Sequence, residues 1–213
     1  MEPVLVRWSA APRSLRRTLL TDRDGVLATV RLDRPGGPDI VVLDGVVAAL
    51  ERLAAHDVAV VVVTNQGAVG RGEQALERVL AAGELLLNRL DPARVLIDYV
   101  AVCPHSDDQD CRCRKPRTGA VTAVERLAGE RVRHGWMVGD QVSDMEAARR
   151  LRVPGLLVGT GHGRAARHRV EASGAAGHVT FVTDFGAAVT RVVNELCGPC
   201  RGAPHSRRRC ATA

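Results

Sequence analysis

Lysine is almost absent from this sequence: of its 30 Lys and Arg residues, only Lys115 is lysine. Together with the abundant Ala, Val and Gly, this reads as a coding bias that replaces Lys by Arg wherever either will serve. A lysine kept against that bias marks a place where a compact ammonium is needed and a planar guanidinium does not fit. Aromatic residues make up 2%, which argues against a nucleic-acid surface built from stacked rings. No apolar run approaches the roughly 20 residues that span a bilayer. Met1 to Leu15 is interrupted by Glu2, Pro3, Arg7 and Pro12 and has no apolar signal core. These absences predict a cytoplasmic chain with no membrane partner.

What is present is ordinary globular composition. The 213 residues are 46% hydrophobic and 25% charged, with a net charge of +6. Part of that excess lies in Arg201 and Arg207 to Arg209, so the charge by itself calls for no nucleic-acid partner. The length predicts one domain over residues 18–196, after an extension at 1–17 and before an Arg- and Cys-rich flexible tail at 197–213. A monomer is expected.

Strands and helices alternate along the chain. Thr18 to Thr21, Val58 to Val63, Val95 to Val102, Trp136 to Val138, Leu156 to Val158 and Val179 to Val182 read as strands. Val46 to Ala55, Glu73 to Leu90, Gly119 to Leu127, Ser143 to Leu151 and Ala187 to Leu196 read as helices, the fourth opening with a capping box of Ser143 and Glu146. Arg34 to Pro38 reads as a loop. This order predicts an α/β fold, a Rossmann-like, mostly parallel sheet with helices on both faces. Ligands in such folds sit beyond the carboxyl ends of the strands. Three strands end there in chemically capable groups: Asp22, Thr64-Asn65 and Asp140.

Asp22 and Asp24 lie two apart in Asp22-Arg23-Asp24-Gly25, so one carboxylate can attack phosphorus while the other moves protons. Thr64, Asn65 and Gln66 offer a hydroxyl and amides to phosphoryl oxygens. Lys115 adds positive charge, and Asp140 adds an acid. Clustered carboxylate oxygens suit Mg²⁺. A second constellation places Cys103, His105, Cys111 and Cys113 within eleven residues. Three thiols and an imidazole so spaced predict a closed, structural Zn²⁺ site. Arg114 and Lys115 follow directly, so the metal would pin the loop that aims them.

In order and spacing, the four elements around Asp22, Thr64, Lys115 and Asp140 resemble the motifs of the haloacid dehalogenase-like (HAD) phosphatases, over about Leu19 to Thr160. The resemblance implies an aspartyl-phosphate on Asp22, general acid/base action by Asp24, and phosphoryl stabilisation by Thr64 and Lys115. It implies Mg²⁺ on Asp22, the backbone carbonyl of Asp24, and Asp140. Asp144 is expected to support the site or its helix N-terminus rather than to bind metal.

The zinc loop narrows the resemblance to the D-glycero-D-manno-heptose 1,7-bisphosphate 7-phosphatases and the related histidinol-phosphate phosphatases, compact enzymes without a large cap domain. Arg114 would then grip a second phosphate or sugar oxygens. Asn65-Gln66-Gly67-Ala68-Val69-Gly70-Arg71-Gly72 looks like the heptose enzymes. Ala28-Thr29-Val30-Arg31 departs from their polar substrate loop, and Gln141 stands where a Lys is common. Two other readings stay open: a 3′-phosphatase of nucleic acid, motivated by the basic tail, and a zinc module without catalysis. Cys197, Cys200, His205 and Cys210 have the spacing of a zinc knuckle but no aromatic to stack a base, which favours a free tail. Gly159 to Gly163 reads as a flexible loop beside the site.

Overall fold

The computed structural model describes residues 2–33, 37–172 and 176–198. Its main sheet has the order β1 (Val4–Arg7), β6 (Tyr99–Cys103), β5 (Ala59–Asn65), β2 (Arg17–Thr21), β7 (His134–Gly139), β8 (Gly155–Val158) and β9 (Val179–Val182). All neighbours run parallel except β1, which pairs antiparallel with β6. The remaining two strands, β3 (Ala28–Arg31) and β4 (Asp39–Val42), form a separate antiparallel hairpin just after Asp24.

Side-chain alternation explains the layers. Successive residues of a strand point to opposite faces. Leu19, Val60, Val62, Val100, Val102 and Val138 pack on one face against α1 (Val46–Ala55), α3 (Leu76–Leu90) and α7 (Phe185–Cys197). Leu20, Val61, Val63, Ala101 and Met137 pack on the other, against α4 (Gly119–Ala128) and α5 (Val142–Leu151). α6 (Gly163–Ala172) joins that second side through Ala166 and Val170, which meet Met145 and Leu157. Burial on both faces is why β5 reads as an unbroken β-branched run.

Several boundaries differ from the sequence reading. The strand expected from Val95 begins only at Tyr99, because the Asp91 carboxylate accepts from the backbone N–H groups of Val95, Leu96 and Ile97 at 2.8–2.9 Å. Glu73 to Ala75 lies outside α3; a four-residue helix, α2 (Gly67–Gly70), precedes it. The capping box of α5 is formed by Gln141 and Asp144, not by Ser143 and Glu146. β1, the β3–β4 hairpin and α6 had no counterpart in the expected elements. Between β2 and β5 the chain forms only that hairpin and α1, and between Lys115 and β7 only α4, so neither interval holds a cap domain. Arg34 to Gly36 of the expected loop, and Cys200, His205 and Cys210 of the tail, fall outside the described residues; Cys197 is exposed at the end of α7.

Candidate active site

β2 lies between β5 and β7, with Thr21 opposite Val62 and Val138. Asp22 therefore leaves the sheet at its carboxyl edge, and its N–H donates to the Val138 carbonyl at 2.9 Å. Asp140 leaves β7 one residue beyond Gly139 at the same edge. A cavity of about 460 Å³ opens there, bordered by Asp22, Asp24, Asn65, Arg114, Lys115 and Asp140. Thr29 and Val30 of the hairpin, and Gly161 and His162 of the loop after β8, complete its rim.

Lys115 is the centre of the buried charge. Its ammonium lies 2.7 Å from Asp22 Oδ1, 2.7 Å from Asp144 Oδ1 and 2.6 Å from the Val63 carbonyl oxygen. Three acceptors meet the three N–H donors of an ammonium, a set that a planar fork cannot match. The position keeps its lysine for that reason. Burial works against its charge, but Asp144 and Asp22 outweigh burial and hold Lys115 protonated. The Asn65 amide grips the backbone of Lys115 at both ends: Nδ2 donates to the Lys115 carbonyl and Oδ1 accepts from its N–H, each at 3.0 Å.

Three carboxylates surround this one cation. Oxygens of Asp22, Asp140 and Asp144 all lie within 4.8 Å of one another. Burial pushes Asp22 up to about 7 against the pull of Lys115, with Asp144 adding to the push. Burial likewise pushes Asp140 up to about 6; the His162 N–H opposes the rise, and Asp144 adds to it. Asp144 spends Oδ2 on the N–H groups of Asp140 and Gln141, at 3.1 and 2.9 Å, and Oδ1 on the Lys115 ion pair. Asp140 Oδ2 accepts from His162 N at 2.7 Å, but buried Oδ1 has no hydrogen-bond partner. An unsatisfied buried carboxylate oxygen beside a second carboxylate is a fit for a divalent cation. Gly25 and Gly161 permit this crowding. Both have positive φ, +81° and +55°, and a Cβ on either would collide with Asp140 Oδ2.

Asp24 reaches the cavity but is held from behind. Arg23 donates Nε to Oδ1 at 3.1 Å and Nη2 to Oδ2 at 2.8 Å, and Gln66 Nε2 also donates to Oδ2 at 2.8 Å. The same Gln66 nitrogen donates to the Thr64 hydroxyl at 2.8 Å. Thr64 is buried at the end of β5 and does not border the cavity, whereas Asn65 does. Both amides expected to face phosphoryl oxygens are thus engaged by the protein itself. Arg114 borders the cavity, is ion-paired with Asp107, and donates to the His105 carbonyl at 3.1 Å.

The second cluster sits behind that arginine. The sulfurs of Cys103, Cys111 and Cys113 are 3.4–3.7 Å apart, and His105 Nδ1 is 3.5 Å from Cys103 Sγ and 3.3 Å from Cys113 Sγ. Metal–sulfur bonds of about 2.3 Å at tetrahedral angles require sulfurs about 3.8 Å apart. All three thiols are buried. This is the arrangement of a closed four-ligand metal site.

Two features of the site had weaker signals. Asp144 was expected to support the site; its ion pair to Lys115 is legible only as the Gln141-x-x-Asp144 spacing of a capping box. The Arg23 fork had no signal beyond adjacency to Asp24.

A parallel sheet with an acid–lysine–acid cluster at its carboxyl edge defines a phosphoryl hydrolase of the HAD-like class. Residues 112–187 match the HAD-hydrolase-like family model. The chain is 32% identical over 149 residues to the D-glycero-β-D-manno-heptose-1,7-bisphosphate 7-phosphatase of Pseudomonas aeruginosa, covering 70% of this chain and 84% of that one. It belongs to that family of HAD-like phosphatases and is a hydrolase of phosphoric monoesters. The chain is also 29% identical over 150 residues to the histidine biosynthesis bifunctional protein HisB of Legionella pneumophila, over 70% of this chain but only 43% of that longer protein. Among solved structures, the D,D-heptose 1,7-bisphosphate phosphatase of B. bronchiseptica, complexed with magnesium and phosphate, aligns with TM-score 0.73 and 27% identity. The alignment covers 84% of this chain and 99% of that one. No helix among the described residues is long and apolar enough to cross a membrane.

Proposed function

We propose that the enzyme is a Mg²⁺-dependent phosphomonoesterase that works through an aspartyl-phosphate and removes the 7-phosphate of D-glycero-D-manno-heptose 1,7-bisphosphate. The observation that carries the reaction class is the buried cluster of Asp22, Asp140 and Asp144 around Lys115. The named relatives support the sugar.

Asp22 is the nucleophile. Lys115 holds it in place and offers positive charge where phosphoryl oxygens arrive. Asp24 gives a proton to the leaving sugar oxygen and later takes one from the water that attacks the phosphoenzyme. Asp22, Asp140 and the Asp24 carbonyl would hold Mg²⁺, which supplies neutralising charge to an anionic nucleophile meeting an anionic substrate. Asp144 supports both neighbours: it fixes Lys115 with one oxygen and the backbone of Asp140 with the other. The three cysteines and His105 would hold a structural Zn²⁺ that sets the loop carrying Arg114 and Lys115. Arg114 faces the cavity as the group for a second phosphate. Asn65 and Gln66 act as positioning residues, on Lys115 and on Asp24 respectively.

The test is phosphate release with Mg²⁺ from both anomers of heptose 1,7-bisphosphate, histidinol phosphate, fructose 1,6-bisphosphate and a 3′-phosphorylated oligonucleotide. Preference for one heptose anomer is expected. Preference for histidinol phosphate would replace the sugar and keep the mechanism. Hydrolysis undiminished in Asp22→Asn would overturn the nucleophile.

A further inference from the structure

Arg23 is a buried cation outside the reaction as described. It is 5% exposed, and its guanidinium lies beneath α3, in a cavity it shares with Val62, Leu80 and Leu87. Glu77 and Glu84 border that cavity, yet among the described residues the only carboxylate paired with Arg23 is that of Asp24. The pair is two-pronged, at 3.1 and 2.8 Å, and the Asp24 side chain keeps 38% of its surface exposed, with the residue bordering the active-site cavity. A planar fork of this kind fixes the plane of the carboxyl group as well as its position. Arg23 has little access to water, so turning Asp24 away would strand a buried charge.

We propose that Arg23 is a positioning residue for the general acid/base: it sets the plane of the Asp24 carboxyl and receives the carboxylate that forms when its proton is given up. The inference rests on Asp24 being that acid. In the first step an Asp22 oxygen bonds to phosphorus and the bond from phosphorus to the leaving oxygen breaks. The Asp24 proton moves to that oxygen, and Asp24 is left as a carboxylate facing the N–H groups of Arg23 and Gln66. Asp22, Arg114, Lys115, Asp140, Asp144 and His162 border the same cavity and are unchanged in any Arg23 variant.

Leaving-group chemistry separates this role from a merely structural one. An alkyl phosphate needs its leaving oxygen protonated, whereas p-nitrophenyl phosphate does not. Arg23→Leu, which suits the apolar neighbours, should lower kcat/KM about 100-fold for the alkyl ester and only a few-fold for the aryl ester. Arg23→Lys keeps the charge without the fork and should fall between. It serves as the test if the leucine variant fails to fold, as judged by circular dichroism. Equal losses for both esters in a folded Arg23 variant would overturn the inference. Asp24→Asn is the control: a selective loss of the alkyl ester there, without one in Arg23→Leu, removes only the role of Arg23. No selective loss in Asp24→Asn removes the acid itself.

Discussion

The two clusters around the loop of residues 103–115 are built in opposite ways. The Cys103–His105–Cys111–Cys113 cluster comes from one short stretch of chain, and its ligands would come together around a metal with little help from the rest of the fold. The Asp22–Lys115–Asp140–Asp144 cluster joins segments up to 122 residues apart, and only the sheet brings them together. The first is electrically self-contained once its thiols hold a metal. The second carries three carboxylates against one ammonium, and it stays reactive because nothing in the protein neutralises it. Local construction suits a staple, and long-range construction suits a site whose charge must be left unbalanced.

Lys115 is where the two meet, so its replacement gives the largest expected effect. Lys115→Arg is conservative in a chain that uses arginine everywhere else. Even so, it should lower kcat about 1,000-fold, because a guanidinium cannot reach Asp22, Asp144 and the Val63 carbonyl from one point. Phosphate release at saturating substrate checks this. A variant within a few-fold of the parent would show that the ammonium geometry is dispensable and that the lone lysine is an accident of composition.

Breaking the staple should cost less and leave the sheet alone. Cys111→Ser, or removal of metal with a chelator, should lower kcat/KM about 10- to 100-fold. Bound zinc should be lost while the far-ultraviolet circular dichroism is retained, since the apolar cores on the two faces of the sheet remain. Metal loss with full activity would separate the clusters and leave the loop no part in aiming Arg114 and Lys115.

The acid cluster has its own signature in pH. Asp22 and Asp140 are raised to about 7 and about 6 from an ordinary 3.8. The folded state therefore holds protons that the unfolded chain has already released. The contribution of these two groups to stability is fully present below pH 3.8 and is lost as pH rises through about 6 and about 7. Metal-free protein should show a falling melting temperature over that window, and saturating Mg²⁺ should remove the fall. Asp140→Asn should flatten the metal-free profile and abolish the Mg²⁺ effect. Parallel profiles for parent and variant would mean that Asp140 keeps its proton in neither state.

How much of this was legible beforehand follows the same division. The zinc-loop ligands are close in sequence, and spacing alone named all four. Asp22, Thr64 and Asp140 were legible because each ends a strand whose apolar run is visible, and parallel strands end at one edge. What escaped depends on lateral contacts. β1 is four residues stabilised by pairing with β6, and α6 is an Arg-rich helix whose inward face is little more than Ala166 and Val170. The expected start of β6 failed because one side chain, Asp91, takes three backbone N–H groups that a strand would have used. Thr64 and Gln66 were placed by type as phosphoryl donors, yet the fold joins them to each other and to Asp24.

Asn65 gives the smallest effect and the finest test of the comparison. It belongs to β5, yet both ends of its amide are spent on the backbone of Lys115, fifty residues away on the metal loop. It is thus the one side chain of the sheet edge that holds the loop in register independently of any metal. Asn65→Ala removes two hydrogen bonds, each worth about 1 kcal/mol net. Asn65→Asp keeps the acceptor for the Lys115 N–H but loses the donor to its carbonyl. Both should lower kcat/KM about tenfold while leaving bound zinc at one equivalent, with the melting temperature down by a few degrees. If the alanine variant loses zinc as well, the sheet edge and the staple form one cooperative unit. If it loses neither zinc nor activity, the metal alone sets the loop, and the contrast between a local staple and a long-range site becomes complete.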